Sequence, residues 1–404
     1  MFFHQLISGP LLGLAVLLLV LESFNLFDSQ VKYRTLMYSL FYLIFFMSVI
    51  SGLCLDLGLE KYWEVSLLLD LFHHPYGRSS LIGFILINLT FLWHVFFLKK
   101  REYKYLRIGT VMLLIFGSLA LSFWSFVINS IMQKPDLLIS LGMGLNSSEI
   151  HVDWIRILGD KYFVSRFFHF FNSSLLQAAL LALLLLSRNS QTQIKRKSML
   201  VTMVAIVFFS LCFQVLTGHI QLNEIALNQE AKMSAILGCQ NSAEEPVVYI
   251  IGASIGGDSK IIGLPLPSVF SQVLIGEMKV RGIDEFKPQN VPDNNRVFNS
   301  FHLMIFLWII LCALCFILVY RLRSGKSLYR IALFSWVFSV MATQSGWLLS
   351  EMGRQPWLFY GLVKSEPLQI GSDYTYLINN LILQLIIYIV LLVFVFKKYE
   401  YESA

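Results

Sequence analysis

Glu351-Met352-Gly353-Arg354-Gln355-Pro356-Trp357 sets a carboxylate and a guanidinium three residues apart where a long apolar run ends. At the edge of hydrocarbon such groups are costly and mark places where something needs them. Three other side chains with chemistry lie in apolar surroundings. His4 is near the N-terminus, His169 lies within Arg166-Phe167-Phe168-His169-Phe170-Phe171, and Met304 lies within Phe301-His302-Leu303-Met304. Imidazole, thioether and carboxylate groups are the natural protein ligands of haem iron. Each also has an ordinary use. Met fills gaps in apolar helices, a buried His is often a hydrogen-bonded structural group, His4 also suits an interfacial position, and Glu351 with Arg354 also suits a surface ion pair worth little. Spacing alone does not choose between these uses.

The elements that must position these residues are membrane helices. The 404 residues are 56% hydrophobic and only 14% charged, with 34 Phe and a mean hydropathy of +0.67. That is the profile of a polytopic membrane protein rather than of soluble domains. Nine segments are long and apolar enough to span a bilayer, at about 6–27, 36–56, 79–98, 106–131, 163–186, 199–217, 300–320, 330–350 and 374–396. The expected fold is all-α, a bundle of about nine transmembrane helices. Seventeen Lys and Arg fall in the loops after the first, third, fifth and seventh segments and in the tail, against seven in the opposite short loops. The positive-inside rule puts the N-terminus outside and the C-terminus in the cytoplasm. The net charge of +6 is thus loop charge that sets topology, not a nucleic-acid-binding face.

Met1-Phe2-Phe3-His4 offers no basic leader and no cleavage site, so the first segment reads as a retained helix. Cys312 and Cys315 form a CxxC inside an apolar segment, with no second CxxC, and read as packed thiols. One loop is long. The chain divides into residues 1–217 with six helices, an extracytoplasmic loop at 218–299 and three helices in 300–404. A loop of that length is functional or disordered, and its first third, Asn223 to Ala235, has helical composition.

Taken together, these residues resemble subunit I of the cytochrome bd quinol oxidases. Glu351-Met352-Gly353-Arg354-Gln355-Pro356-Trp357 is similar to that family's Glu-x-Gly-Arg-Gln-Pro-Trp hallmark. His4 with Gly13, Ala15 and Glu22 resembles its opening helix. Gly52-Leu53-Cys54-Leu55-Asp56 with Trp63 resembles a Gly-x-x-x-Glu stretch, with Asp56 in place of Glu. Trp124 to Pro135, which includes Asn129 and Gln133, resembles a further motif, and Gly218-His219-x-Gln221 with Gln229 to Ala235 resembles the start of a quinol-binding loop.

The resemblance implies roles. His169 and Met304 would be the axial pair of a low-spin haem b, and such a pair raises a haem's potential. Glu351 would ligate a high-spin haem b, and His4 a third haem, either d or b. Arg354 and Trp357 would lie beside the haem edges, where a guanidinium can hold propionates. Lys232 matches the lysine linked to quinol oxidation, although a solvated loop charge is the ordinary alternative. A second membrane subunit would complete the complex in the bacterial cytoplasmic (inner) membrane.

Three departures accompany it. The family's third helix carries two glutamates whose counterparts here are Ser80 and Asn88, and no Asp or Glu occurs between Asp70 and Glu102. A hydroxyl and an amide relay protons but do not titrate near neutrality; His94 could carry a proton or simply pack. His302 stands where the family has arginine; lying about 200° around the helix from Met304, it cannot share that residue's iron and would neighbour a propionate or the quinol. Leu237 replaces a loop glutamate. Two readings follow: a bd-type quinol:oxygen oxidoreductase with an altered proton path, or a non-catalytic paralogue that keeps the fold and some haem as a structural or electron-transfer subunit. A transporter has little support, because no pair of broken helices repeats in two halves.

Overall fold

A computed structural model of the chain describes residues 2–24, 26, 31–62, 82–93, 104–139, 154–188, 197–242, 247–256, 260–266 and 280–365. Helices α1 (Phe2–Ser8), α2 (Leu11–Ser23), α3 (Val31–Tyr62) and α4 (Ile82–Trp93) precede α5 (Lys104–Gln133). Next come two short helices, α6 (Asp136–Ile139) and α7 (Trp154–Gly159), then α8 (Lys161–Ser187), α9 (Lys197–Asn228) and α10 (Glu230–Leu237). A hairpin of β1 (Tyr249–Ile255) and β2 (Lys260–Pro265) follows, then α11 (Asn294–Arg323), α12 (Tyr329–Arg354) and a second hairpin of β3 (Trp357–Phe359) and β4 (Val363–Lys364). Seven helical spans among the described residues are long and apolar enough to cross a membrane, and the chain is a multi-pass membrane protein. The expected ninth segment, 374–396, and the residues Trp63, Ser80 and His94 lie outside the described residues.

The chain forms two compact units. One holds residues 1–121 and 367–404 and the other residues 122–366, with the boundary inside α5. In the first unit the expected opening helix is broken at Gly9-Pro10. Proline has no N–H to give the preceding turn, so α1 stops and α2 restarts, with Leu14 N–H bonding Pro10 O at 2.8 Å. One buried carboxylate, Glu22, then ties three helices. Arg34 on α3 approaches it at 3.0 Å, Arg107 on α5 at 3.1 Å, and the Tyr38 hydroxyl donates to it at 3.3 Å. Buried charge is tolerated where it is paired and hydrogen-bonded in this way.

The second unit packs α8 against α9 and α12, and α12 against α11. Asp160 caps α8, accepting from the Tyr162 and Phe163 N–H groups at 2.8 and 3.4 Å, and also pairs with Lys134 at 2.8 Å. The sixth helix is longer than its expected membrane span of about 199–217. It does not end at residue 217 but runs through Gly218 to Asn228. Gly218 costs a helix interior about 1 kcal/mol relative to alanine, but no proline follows to end the helix, and the space at Gly218 is taken up by the His169 ring. The helical composition of Asn223 to Ala235 is realised as the end of α9 and as α10, which closes on Gly238 at φ +68°, a left-handed position suited to glycine. The β1–β2 hairpin lies on α11, where Asn299 accepts from Ser254 N–H at 2.7 Å and donates back to Ser254 O at 3.0 Å.

Candidate functional site

The last turn of α12 brings Glu351 and Arg354 together, as residues three apart on one helix face must be. Arg354 donates to Glu351 Oε2 at 2.9 Å, and Asn129 on α5 donates to Oε1 at 2.7 Å. Arg354 also grips the backbone that follows, bonding Trp357 O at 2.6 Å and Leu358 O at 2.7 Å. Trp357 lies on β3 with the Lys364 ammonium 5.4 Å from its ring. Glu351 and Arg354 are therefore no surface pair: Arg354 is 2% exposed.

Lys232 comes from α10 and is 1% exposed. Its amine donates to Gln133 Oε1 at 3.1 Å and reaches toward Ser350 O at 3.5 Å. Gln133 is the hub. Its Oε1 also accepts from Gln229 at 2.8 Å, and its Nε2 donates to Ser350 O at 3.1 Å. Arg166 donates to Ser350 Oγ at 2.6 Å and sits 5.7 Å from the Trp347 ring centroid. Burial holds the Lys232 amine well below its usual value; Arg166 pushes the same way, Glu351 opposes and Arg354 adds to the lowering. The lysine stem lies against Gly353, where a Cβ would meet its Cε at 2.7 Å and its Cδ and Cγ at 2.8 Å. The solvated loop charge is thus excluded for Lys232.

His169 on α8 sets Nδ1 3.0 Å from the Thr217 hydroxyl, and Gln214 Nε2 lies 2.9 Å from its Nε2. Met304 on α11 aims its sulfur at Gly346 on α12, 3.1 Å from where a Cβ would sit. His302 points elsewhere. Its ring stacks on Phe298 at 3.8 Å between centroids, and its Nδ1 donates to Phe298 O at 2.9 Å. Leu237 is buried in an apolar cluster with Tyr162, Ile225 and Met233. In the first unit His4 sets Nδ1 3.0 Å from the Ser51 hydroxyl.

Sequence reading named Glu351, Arg354 and Lys232 and the structure joins them in one buried cluster. It gave no role to Arg166, Gln133, Asn129, Gln229 or Ser350, which complete that cluster. An arginine inside a phenylalanine-rich membrane helix was a signal for Arg166; nothing local in the sequence marks Ser350.

Haem, the group implied by the resemblance, fits these donors. Arg166 Nη1, Arg354 Nε and Trp347 Nε1 are buried with no hydrogen-bond partner among the described residues. Two guanidinium groups face the single Glu351 carboxylate, a surplus of positive charge that suits propionates. Glu351 spends one acceptor site of each oxygen and keeps others for a metal. His169 would bind iron through Nε2 once the Gln214 amide turns aside.

The comparisons with known proteins agree with this architecture. A chain of bd oxidase from Geobacillus thermodenitrificans superposes with a TM-score of 0.80 over 98% of this chain and 95% of that one, and its 15% identity makes this a likeness of fold. Cytochrome bd ubiquinol oxidase subunit 1 of Bacillus subtilis (strain 168) is 24% identical over 394 residues, covering 89% of this chain and 82% of that protein. The family model described as cytochrome bd terminal oxidase subunit I matches residues 1–401. With a match of that extent the chain belongs to the cytochrome bd terminal oxidase subunit I family.

Proposed function

We propose that this chain is the quinol-oxidising, oxygen-reducing subunit of a bd-type oxidase. It would sit in the bacterial cytoplasmic membrane with its N-terminus outside and its C-terminus in the cytoplasm, beside a second membrane subunit. The observation that carries the reading is Lys232, a buried amine whose hold on its proton is weakened by burial and by Arg166 and Arg354, against Glu351. Quinol oxidation releases protons together with electrons, and a buried amine with weakened proton affinity would serve as an acceptor for them. Gln133 holds that amine in place at 3.1 Å.

Haem bound at His169 and Met304, at Glu351 and at His4 would supply the electron carriage and the reduction of oxygen. The chain supplies the rest. Arg166 and Arg354 would hold propionates through their buried Nη1 and Nε donors. Asn129 and Arg354 orient the Glu351 carboxylate. Trp357 would pack beside a haem edge, and His302, stacked on Phe298, would neighbour the quinol.

The test is a reduced-minus-oxidised spectrum of the purified membrane complex with haem extraction, followed by oxygen uptake with added quinol. Low-spin b bands with high-spin b and d or b bands, and quinol-dependent oxygen uptake, are expected. Full haem content with no oxygen uptake from any quinol overturns the proposal. It would favour the second reading, a paralogue that keeps haem without catalysis. The absence of any Asp or Glu between Asp70 and Glu102 motivates that reading, as does the Asn88 amide turned back onto Phe84 O at 2.8 Å. A large gain of activity in Ser80→Glu with Asn88→Glu would support it.

A further inference from the structure

Two histidines on different helix pairs are held by one device. His4 on α1 places Nδ1 3.0 Å from the Ser51 hydroxyl on α3, and a Cβ on the next residue, Gly52, would lie 3.3 Å from His4 Cε1. His169 on α8 places Nδ1 3.0 Å from the Thr217 hydroxyl on α9, and a Cβ on the next residue, Gly218, would lie 3.3 Å from His169 Cε1. In both, a hydroxyl meets one ring nitrogen while the following glycine lets the ring edge rest on bare helix backbone.

The hydroxyl contacts point to one tautomer at each ring. A hydroxyl has one hydrogen to donate. Ser51 gives its hydrogen to Ser48 O at 3.1 Å, and Thr217 gives its hydrogen to Phe213 O at 3.0 Å. Each Oγ can then only accept from the imidazole, so Nδ1 carries the ring hydrogen and Nε2 keeps its lone pair. At His169 a second line agrees. The Asn172 amide donates to Gln214 Oε1 at 2.5 Å, which makes the other end of Gln214 a donor, and that donor faces His169 Nε2 at 2.9 Å. Two donors cannot face each other, so Nε2 is bare there too. A metal-binding imidazole needs this arrangement: one nitrogen hydrogen-bonded to a fixed partner, the other free to ligate.

We propose that Ser51-Gly52 and Thr217-Gly218 are positioning pairs that fix His4 and His169 as Nε2 ligands for haem iron, with Gln214 holding the His169 lone pair until iron takes it. This rests on the haem-binding reading above. The hydroxyls touch the ligand and not the iron, so they set ring tautomer and orientation.

The test uses the purified membrane complex and reads haem rather than turnover. Haem per protein, the electron paramagnetic resonance of low-spin haem and its midpoint potential are measured in wild type, Thr217→Val and Thr217→Ser. Thr217→Val keeps the shape and deletes the hydroxyl; it is expected to weaken low-spin haem binding by about 10- to 100-fold and to alter the resonance. Thr217→Ser keeps the hydroxyl and is expected to match wild type. Ser51→Ala against Ser51→Thr reads the haem at His4 in the same way. Should Thr217→Val not accumulate, Thr217→Ala against Thr217→Ser isolates the hydroxyl at nearly equal volume. A merely structural role predicts the reverse, with Thr217→Val intact and Thr217→Ser impaired for its missing methyl, and that result overturns the proposal. So does Thr217→Val with unchanged haem content, resonance and potential. Wild type without any haem overturns the haem-binding reading as well.

Discussion

Lys232→Met separates what the buried amine does for stability from what it does for function. Methionine fills most of the same volume without a charge, and volume-conserving changes cost less than about 1.5 kcal/mol. The lost bond to Gln133 at 3.1 Å leaves no orphan, because Gln133 Oε1 still accepts from Gln229 at 2.8 Å. The direct loss is therefore about 1 kcal/mol. Against it stands the cost wild type bears by burying an amine whose pKa burial lowers well below its unfolded value of 10.5. The folded value is the lower one, so between the two values the unfolded chain holds a proton that the folded chain lacks. Wild-type stability must then rise with pH in that window by about 1.4 kcal/mol per unit, and Lys232→Met must not share that rise. Melting curves of both proteins in detergent across pH 8 to 10 read this directly. Lys232→Met is expected to match or exceed wild type at pH 8, to lose ground as pH rises, and to lose quinol oxidation with its haem spectrum intact. Curves that stay parallel would show that Lys232 is an ammonium in the folded protein, and the proton-acceptor argument would fall.

Gly353→Ala places a carbon within 2.8 Å of three Lys232 stem carbons, so the lysine must shift; overpacking of about 1–3 kcal/mol and a fall in quinol oxidation are expected, read by melting temperature and oxygen uptake. Glu22→Gln removes the carboxylate shared by Arg34 at 3.0 Å and Arg107 at 3.1 Å, and a loss of about 3–5 kcal/mol is expected, seen as a sharp fall in folded yield from membranes. Asp160→Ala removes both the cap of α8 and the 2.8 Å contact to Lys134, lowering stability by about 0.5–2 kcal/mol in the same melting assay without displacing haem bands.

The helices were legible because apolar runs of about 20 residues with flanking charge leave few alternatives. Their ends were less so. The helical composition of Asn223 to Ala235 is visible, but not that α9 runs unbroken into it, because Gly218 reads as a breaker until the His169 ring is seen lying against it. The hairpins were missed for a related reason: β1–β2 is held by Asn295 and Asn299 of α11, contacts 39 to 45 residues away that no local pattern records. At the site, residues with distinctive chemistry stood out, including Glu351, Arg354, Lys232, His169 and Met304. The residues that orient them are Ser, Thr, Asn and Gln, types common enough in membrane helices that only their partners give them meaning. Ser51 and Thr217 were invisible in this sense, although the glycine after each was in plain view.

Helix α9 is 32 residues long, ~48 Å at 1.5 Å per residue, against a hydrocarbon core of ~30 Å. It works as a ruler. Thr217, which holds His169, and Gln229, which follows its last turn and binds Gln133, stand ~18 Å apart along one rigid rod. One residue inserted between them would lengthen that interval by ~1.5 Å and swing Gln229 by ~100° around the axis, away from Gln133. The stretch from Gly218 to Asn228 therefore cannot change its length, and its spacing is what this segment transmits to its neighbours.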